Sequence, residues 1–295
     1  MASLKEIDNR LKSVRNTKKT TYAMKLVSAA KLRKAQEAAH GARDYTDALV
    51  QLGDRLLDAL PADEKNHPLM EIRPTKKTVR IIAAGGNRGL CGSYNGALNK
   101  ALEAQIRKIK AAIPGVSIEV TALGKKVAEY CKRQGIRTIG SFENLPEDAT
   151  KWPIDEICKS FEADFLSGAV DEVVMVYTKF KSAMSMSPTS RSILPLAPIA
   201  DKEFDAEIAL GVRLFEPSVE AVWSALIPQI LRGEILQASL DAKAAEHGSR
   251  MTAMDSATKN AGQLITALQR TYNRVRQGNI TAQLLDIIGG AEALK

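Results

Sequence analysis

The sequence predicts an α/β domain inserted between two very long helices that pair as an antiparallel coiled coil. Three observations predict it. The stretch from Leu4 to Ala59 has no proline and only two glycines, Gly41 and Gly53. A second stretch, Ser218 to Ile288, holds one proline, Pro228. Between them, strand-like and helix-like hydrophobic runs alternate with short turns. At 1.5 Å per residue the two helices are about 84 Å and 107 Å long, whereas a compact body of this chain length is about 50 Å across. Helices of that length project from the body, and two projecting helices most simply pair with each other.

Ser3 to Glu6 has capping-box spacing and opens the first helix. Leu4, Ile7, Leu11 and Val14 follow a 3-4-3 seam, after which the strict heptad positions turn polar at Lys18, Thr21, Lys25 and Ser28. The apolar stripe is expected to drift to Met24, Val27 and Ala30, then to Ala35, Ala38, Ala39 and Ala42. A two-stranded zipper keeps its seam, so this drift predicts different partners along the helix. Pro61, Pro68 and Pro74 mark a linker over 61–77.

The central domain, 78–197, starts with a strand from Val79 to Ala84 and a glycine-rich turn from Gly85 to Gly96, and a helix follows to Ile113. Next come a strand from Val116 to Leu123, a helix from Lys125 to Gln134, a short strand at Ile136–Ile139 and a helix from Ile154 to Leu166. Glu172–Phe180 and Ser182–Leu194 read as two more strands, and Pro188 places the last at an edge or bulge. This alternation predicts a parallel, Rossmann-like sheet with helices on both faces. A linker at 198–217 leads to the C-terminal helix, 218–295. In it Met251, Met254, Thr258, Ala261, Ile265, Leu268, Tyr272 and Val275 alternate steps of three and four. Beyond Gly278 the apolar set shifts to Ile280, Leu284, Ile287 and Ala291, widened by Leu285 and Ile288. An end that is apolar on several faces calls for an apolar socket in a partner.

The 295 residues are 45% apolar, ample for a core. Cys91, Cys131 and Cys158 form no Cys-x-x-Cys pair, which argues against a disulfide framework or a zinc site. No apolar run is long enough to span a membrane, and the N-terminus lacks a signal-peptide core. A soluble intracellular protein is expected. The net charge of +8 is concentrated at one end: residues 1–43 hold eleven Lys or Arg against three Asp or Glu. That imbalance calls for an acidic partner. Nucleic acid is the alternative, weakened because only Tyr22 and Tyr45 are available there for stacking.

No catalytic, cofactor or metal site is expected. The loop Gly85–Asn95 sits where a phosphate loop would, but Gly86, Gly89 and Gly92 are spaced by threes, and Leu123-Gly124-Lys125 lacks a ribose-binding acid. It reads as a structural turn. Cys91 reads as a small buried residue, the isolated His40, His67 and His247 as ordinary surface or core residues, and Asp171 with Glu172 as a solvated strand start.

Three motifs carry a resemblance across the chain. Residues 13–35, SVRNTKKTTYAMKLVSAAKLRKA, resemble the N-terminal helix of the gamma subunits of F-type ATP synthases. Arg88, Gly89, Leu90, Cys91 and Gly92, continuing to Asn95, resemble that family's central-domain motif. Residues 272–277, YNRVRQ, with Ile280-Thr281 and the run from Ile287 to Leu294, resemble its C-terminal signature.

The resemblance implies a non-catalytic rotor shaft. Its partners would be a ring of alpha and beta subunits, the epsilon subunit and the ring of membrane c subunits. It would lie at the cytoplasmic face of a bacterial plasma membrane and couple proton or sodium flow to ATP synthesis. It further implies ring contacts by Met24, Lys25, Arg276, Gln277, Thr281, Leu284 and Ile288, with the basic N-terminal half facing acidic levers of beta. Gln283 stands where the family usually has Glu, Asn87 where it has Asp, and Tyr22 where it often has Lys.

Overall fold

The structure is a computed structural model that describes residues 3–60, 67–183, 185–196 and 216–292. Parts of the two expected linkers, 61–66 and 198–215, lie outside the described residues, as does the end of the C-terminal motif, 293–295. The elements are α1 (Leu4–Ala59), β1 (Thr78–Ala84), α2 (Tyr94–Ala112), β2 (Ser117–Leu123), α3 (Lys125–Gln134), β3 (Thr138–Phe142), α4 (Ile154–Leu166), β4 (Glu172–Ser182), β5 (Ser185–Leu194) and α5 (Val219–Glu292). Short 3₁₀ turns lie at Pro68–Met70 and Ala149–Lys151. The chain forms two compact units, Ala30–Ser249 and Met1–Ala29 with Arg250–Lys295.

In the larger unit a five-stranded sheet has the order β3-β2-β1-β4-β5. The strands β3, β2, β1 and β4 run parallel, each followed or preceded by a helix that supplies the crossover. The expectation of an all-parallel sheet fails at β5, which is antiparallel to β4. Only Ala183 and residue 184 separate the two strands, far too short for a crossover, so they form a hairpin. Pro188 lies on this edge strand, where its missing N–H breaks no ladder. The third strand begins two residues later than expected. Gly135 caps α3 in the left-handed region (φ 65°) and the Ile136 N–H bonds back to the Cys131 carbonyl at 3.0 Å, so Ile136 closes the helix before β3 can start.

Strand alternation sorts two cores. Val79, Ile81, Ala83, Val120, Ala122, Val174 and Val176 face α2 and α3 through Leu98, Leu102, Val127 and Cys131. Ile82, Ala84, Leu123, Val173, Met175 and Tyr177 face the other way. They pack with Ile157, Phe161 and Phe165 of α4 and with residues of α1 and α5, including Val50, Leu56, Trp223, Ile227, Leu231 and Ile235.

Charged side chains also enter this second layer, Arg80 deepest among those of the strands. Arg80 is 4% exposed; it pairs with Glu119 at 3.0 Å and Asp164 at 2.7 Å, and donates to the Ser160 carbonyl at 2.7 Å. Glu119 is its register partner on β2 and also pairs with Arg137.

Asp171 corrects the sequence reading. It is buried rather than solvated, and it accepts the N–H groups of Lys77 at 2.6 Å and Thr78 at 2.9 Å, with Arg73 at 3.3 Å. Burial alone would raise its pKa. The bonds from Thr78, Lys77 and Arg73 together outweigh burial and hold it below the usual carboxylate value. Glu172 beside it is half-buried and pairs with Lys76 at 2.8 Å.

Arg80→Met is expected to destabilise the chain by about 3 kcal/mol, because buried Glu119 keeps only the exposed Arg137 as a partner and Asp164 loses its own; urea unfolding measures it. A folded pKa below the unfolded value of about 3.9 gives stability that is present above that pH and lost as pH falls through the folded value. Asp171→Asn is therefore expected to lower stability at pH 7 by about 1–3 kcal/mol and to flatten the loss seen below about pH 4. Unfolding curves across that range check both parts.

Candidate partner interface

The smaller unit is an antiparallel pair of helical segments from α1 and α5. Its start is the expected capping box: the Glu6 N–H donates to Ser3 Oγ at 3.2 Å and the Ser3 N–H to Glu6 Oε2 at 2.8 Å. Cross-helix contacts set the register. Arg15 donates to Gln269 at 3.2 Å, Lys18 approaches Gly262, the Thr21 and Thr258 hydroxyl oxygens are 2.8 Å apart, and Lys25 meets Asp255 at 2.6 Å. The partner's number falls as α1 advances. Continued to the start of α1, this register places Leu4 level with about Val275.

The expected drift of the stripe fails at Val27 and Ala30 but holds at Met24 and, in the larger unit, at Ala38, Ala39 and Ala42, which join the core. The seam keeps its register and changes chemistry. Ile7, Leu11, Ser28, Met254 and Ala261 are buried, and Leu4, Val14, Thr21, Met24, Lys25, Met251, Thr258, Ile265, Leu268, Tyr272 and Val275 are half-buried. Ala30 is exposed, as are Leu26 and Val27 at 52% and 55%. Polar residues sit in the seam because each has a partner. Ser28 donates to the Met24 carbonyl at 2.7 Å, and Asp255 is shared by Lys25 and Lys259. The hydrogen bonds from Lys25 and Lys259 pull the Asp255 carboxyl down to about 2, and the Asp255 bond raises Lys25.

Among the described residues, the same register leaves the last turns of α5 without a companion. From Arg276 to Gly289 its residues are exposed, including Ile280 at 49%, Leu284 at 54%, Leu285 at 63%, Ile287 at 68% and Ile288 at 62%. Five large apolar side chains on a bare helix form a surface that water does not favour. Arg276, Gln277, Thr281, Leu284 and Ile288 all lie on this exposed stretch, where Thr281 donates to the Gln277 carbonyl at 3.0 Å. Met24 and Lys25 sit elsewhere, level with Met254 and Asp255, about 30 Å along α5 from Arg276. The expected contact residues thus form two groups in this unit.

The third group, Arg88 to Gly92, belongs to the larger unit. Arg88, Gly89 and Leu90 are exposed, and Leu90 holds φ 60°, a conformation rare for a branched side chain. Cys91 is buried with Tyr94 and Ala245. The loop is no phosphate cradle. A Cβ on Gly85 would lie 2.3 Å from Val127, and one on Gly86 3.1 Å from Asn95 and 3.2 Å from the Glu246 carboxyl. These glycines admit neighbouring side chains, and a carboxylate in the crevice repels phosphate. Asn87 uses both ends of its amide, donating to the Leu145 carbonyl and accepting the Lys125 N–H, each at 3.1 Å. An Asp there has no donor for Leu145.

The basic segment is less unbalanced in space than in sequence. In the larger unit Lys31 pairs with Glu147, Lys34 with Asp148 and Arg43 with Asp241, while Arg33 pairs with Glu37 on α1 itself. In the smaller unit Lys12 pairs with Asp8 and Lys25 with Asp255. Among the described residues, Lys5, Arg10, Lys18 and Lys19 make no ion pair, and Arg15 bonds only an amide. The electropositive surface therefore narrows to about residues 5–19. Sequence reasoning missed Glu147, Asp148, Asp241 and Asp255 because they lie more than a hundred positions from their basic partners. No helix is long and apolar enough to cross a membrane among the described residues, and no three His, Cys, Asp or Glu there converge to hold a metal ion.

A family profile described as ATP synthase matches residues 3–294. The ATP synthase gamma chain of Bdellovibrio bacteriovorus is 37% identical over 299 residues, covering all of both chains. That of Moorella thermoacetica is 36% identical over 295 residues, again covering both completely. Among solved structures, the rotor of the Euglena gracilis mitochondrial ATP synthase matches with TM-score 0.59 at 16% identity, covering 94% of this chain and 98% of that one. The central stalk and c-ring structure from Tetrahymena thermophila matches with TM-score 0.53 at 17% identity, covering 81% and 99%. At these identities the structural likenesses speak for the fold.

Lys25→Ala is expected to leave Asp255 with Lys259 alone. The Asp255 carboxyl should then titrate measurably higher than its present value near 2, readable by NMR titration.

Proposed function

The chain belongs to the ATP synthase gamma-chain family, and from that premise we propose that it is the non-catalytic central-stalk rotor of a proton- or sodium-translocating synthase. Its partners are the alpha and beta subunits, the epsilon subunit and the c-ring. It lies peripherally at the cytoplasmic face of a bacterial inner membrane.

The observation that carries the reading is the end-to-end match to gamma chains, joined to an α5 end that is bare from Arg276 to Gly289. A ring of subunits supplies the apolar sleeve that this end requires. The unpaired charges between Lys5 and Lys19 suit acidic groups on the same ring. The work is done by contacts. Each beta subunit meets a different side of one asymmetric shaft, and an angle that favours one beta conformation is in turn favoured by it. An apolar tip without directional bonds can turn in its sleeve without being trapped at one angle. Met24 and Lys25, half-buried in the seam with α5, are taken to lie level with the bearing, where Lys25 is held by Asp255.

Reconstitution tests the reading. Mixed with alpha and beta subunits, the full chain is expected to enter one complex per ring and to restore ATP hydrolysis; failure to assemble overturns it. Within the assembled synthase, Leu284→Glu is expected to reduce ATP-driven ion pumping several-fold, because a charge enters the sleeve. Leu284→Ala should change pumping less than twofold. Equal effects contradict an apolar sleeve.

A further inference from the structure

The middle of α5 is buried on every side. From Ala238 to His247 no residue is more than 4% exposed, and Gly248 is buried as well. Four of these residues can carry charge: Asp241, Lys243, Glu246 and His247. A helix buried all round is normally apolar, because each buried charge must find its own compensation.

Asp241 finds it on one side of the helix, while Lys243, Glu246 and His247 find it on the other, Lys243 and Glu246 partly in each other. Successive residues turn by about 100° around the helix axis. Asp241 faces Arg43 of α1 at 4.0 Å and takes a bond from Gln237. Gly248, nearly in line with it, lies against Phe180 and Met186 of the β4–β5 hairpin. Ala245 packs on Cys91 and Tyr94, and the Tyr94 hydroxyl donates to the Ala242 carbonyl at 3.0 Å. Glu246 sits beside Gly86 at the end of β1 and pairs with Lys243 at 2.9 Å. Lys243 lies 6.0 Å over the Trp152 ring, and His247 meets Glu147 at 3.6 Å. The helix thus fills the crevice at the carboxyl ends of β1 and β4, where the strand order reverses and where open sheets of this type bind ligands.

We propose that the Asp241–Gly248 segment of α5 is a torsional key: Asp241, Lys243, Glu246 and His247 fix the rotational angle of the helix within the α/β unit, so that turning the sheet turns α5. This rests on the rotor reading and names the residues through which torque enters the helix. A slip of one residue would take Asp241 from Arg43, His247 from Glu147, Lys243 from the Trp152 ring and Glu246 from the space at Gly86, although the Lys243–Glu246 pair turns with the helix. A purely apolar helix could roll in its groove at far smaller cost. Gly86 belongs to the same device, since a Cβ there would displace the Glu246 carboxyl. All four charged residues act as positioning residues, holding an angle and touching no nucleotide.

The test uses the complete synthase in vesicles, with Lys243→Met and Glu246→Gln combined. This pair of changes removes both charges at similar volume, so the fold is expected to survive. Three quantities are read: the unfolding midpoint of the chain, the ATP hydrolysis of the complex, and ions pumped per ATP. The expected result is a midpoint within a few degrees of wild type, retained hydrolysis, and pumping per ATP reduced at least threefold. A merely structural role would lower the midpoint and hydrolysis together and leave the ratio unchanged. Wild-type pumping per ATP in a folded double variant overturns the key and leaves the rotor reading intact. Absent pumping with the unaltered chain overturns the rotor reading instead. If the double variant does not assemble, Gly86→Ala decides: a partial fall in pumping per ATP supports the key, and a wild-type ratio overturns it.

Discussion

The structure depends on one constraint: α5 must pass through the α/β unit while keeping charged side chains buried. Helices that only rest on a sheet need one apolar stripe. Between Ala238 and Gly248 this helix is enclosed; Arg43 matches Asp241, Glu147 meets His247, and Lys243 and Glu246 match each other beside the turn at Gly86. The consequences spread outward. Gly86 has to lack a side chain. The loop from Leu145 to Trp152 has to close over Lys243, and Asn87 ties that loop to the start of α3. The crevice that would admit a nucleotide in a related architecture is filled by protein.

The smaller unit solves a different problem with the same currency of paired polar groups. Two helices in contact through alternating steps of three and four would be held most simply by leucines. Here the α1 side places Lys18, Thr21, Lys25 and Ser28 in the seam, and α5 answers with Gly262, Thr258 and Asp255. Partly exposed pairs of this kind contribute little stability. What they fix is register, and the register decides where α1 stops covering α5. The bare apolar end follows from that offset.

Much of the architecture was legible in the residues. The capping box at Ser3, the α5 stripe from Met251 to Val275, and the bounds of α3 and α4 could be read from spacing alone, because these features are local. Two failures were local, the β3 start displaced by the Gly135 cap and the β4–β5 hairpin taken for parallel strands; the others were non-local. A polar heptad position looks like a broken seam until Asp255 is placed opposite Lys25. The basic excess looks unpaired until Glu147 and Asp148 fold onto α1. Asp171 looks solvated until the N–H groups of Lys77 and Thr78 are seen to point at it. Of the candidate contact residues, those on the last turns of α5 were legible as an apolar end. The four buried charges of the key were not, since charged residues in a long helix ordinarily read as a solvated face.

The central claim is that this chain turns inside a ring of catalytic subunits. It is tested most directly by watching it turn. Lys108 is exposed on α2, and the three native cysteines are buried, with burial pushing the Cys131 thiol up and that of Cys158 to about 12. A probe can therefore be attached selectively through Lys108→Cys in a complex whose alpha and beta ring is fixed to a surface. With ATP the account predicts rotation of the probe in one direction, pausing once for each beta subunit. A probe that stays still while the same complexes hydrolyse ATP would contradict it.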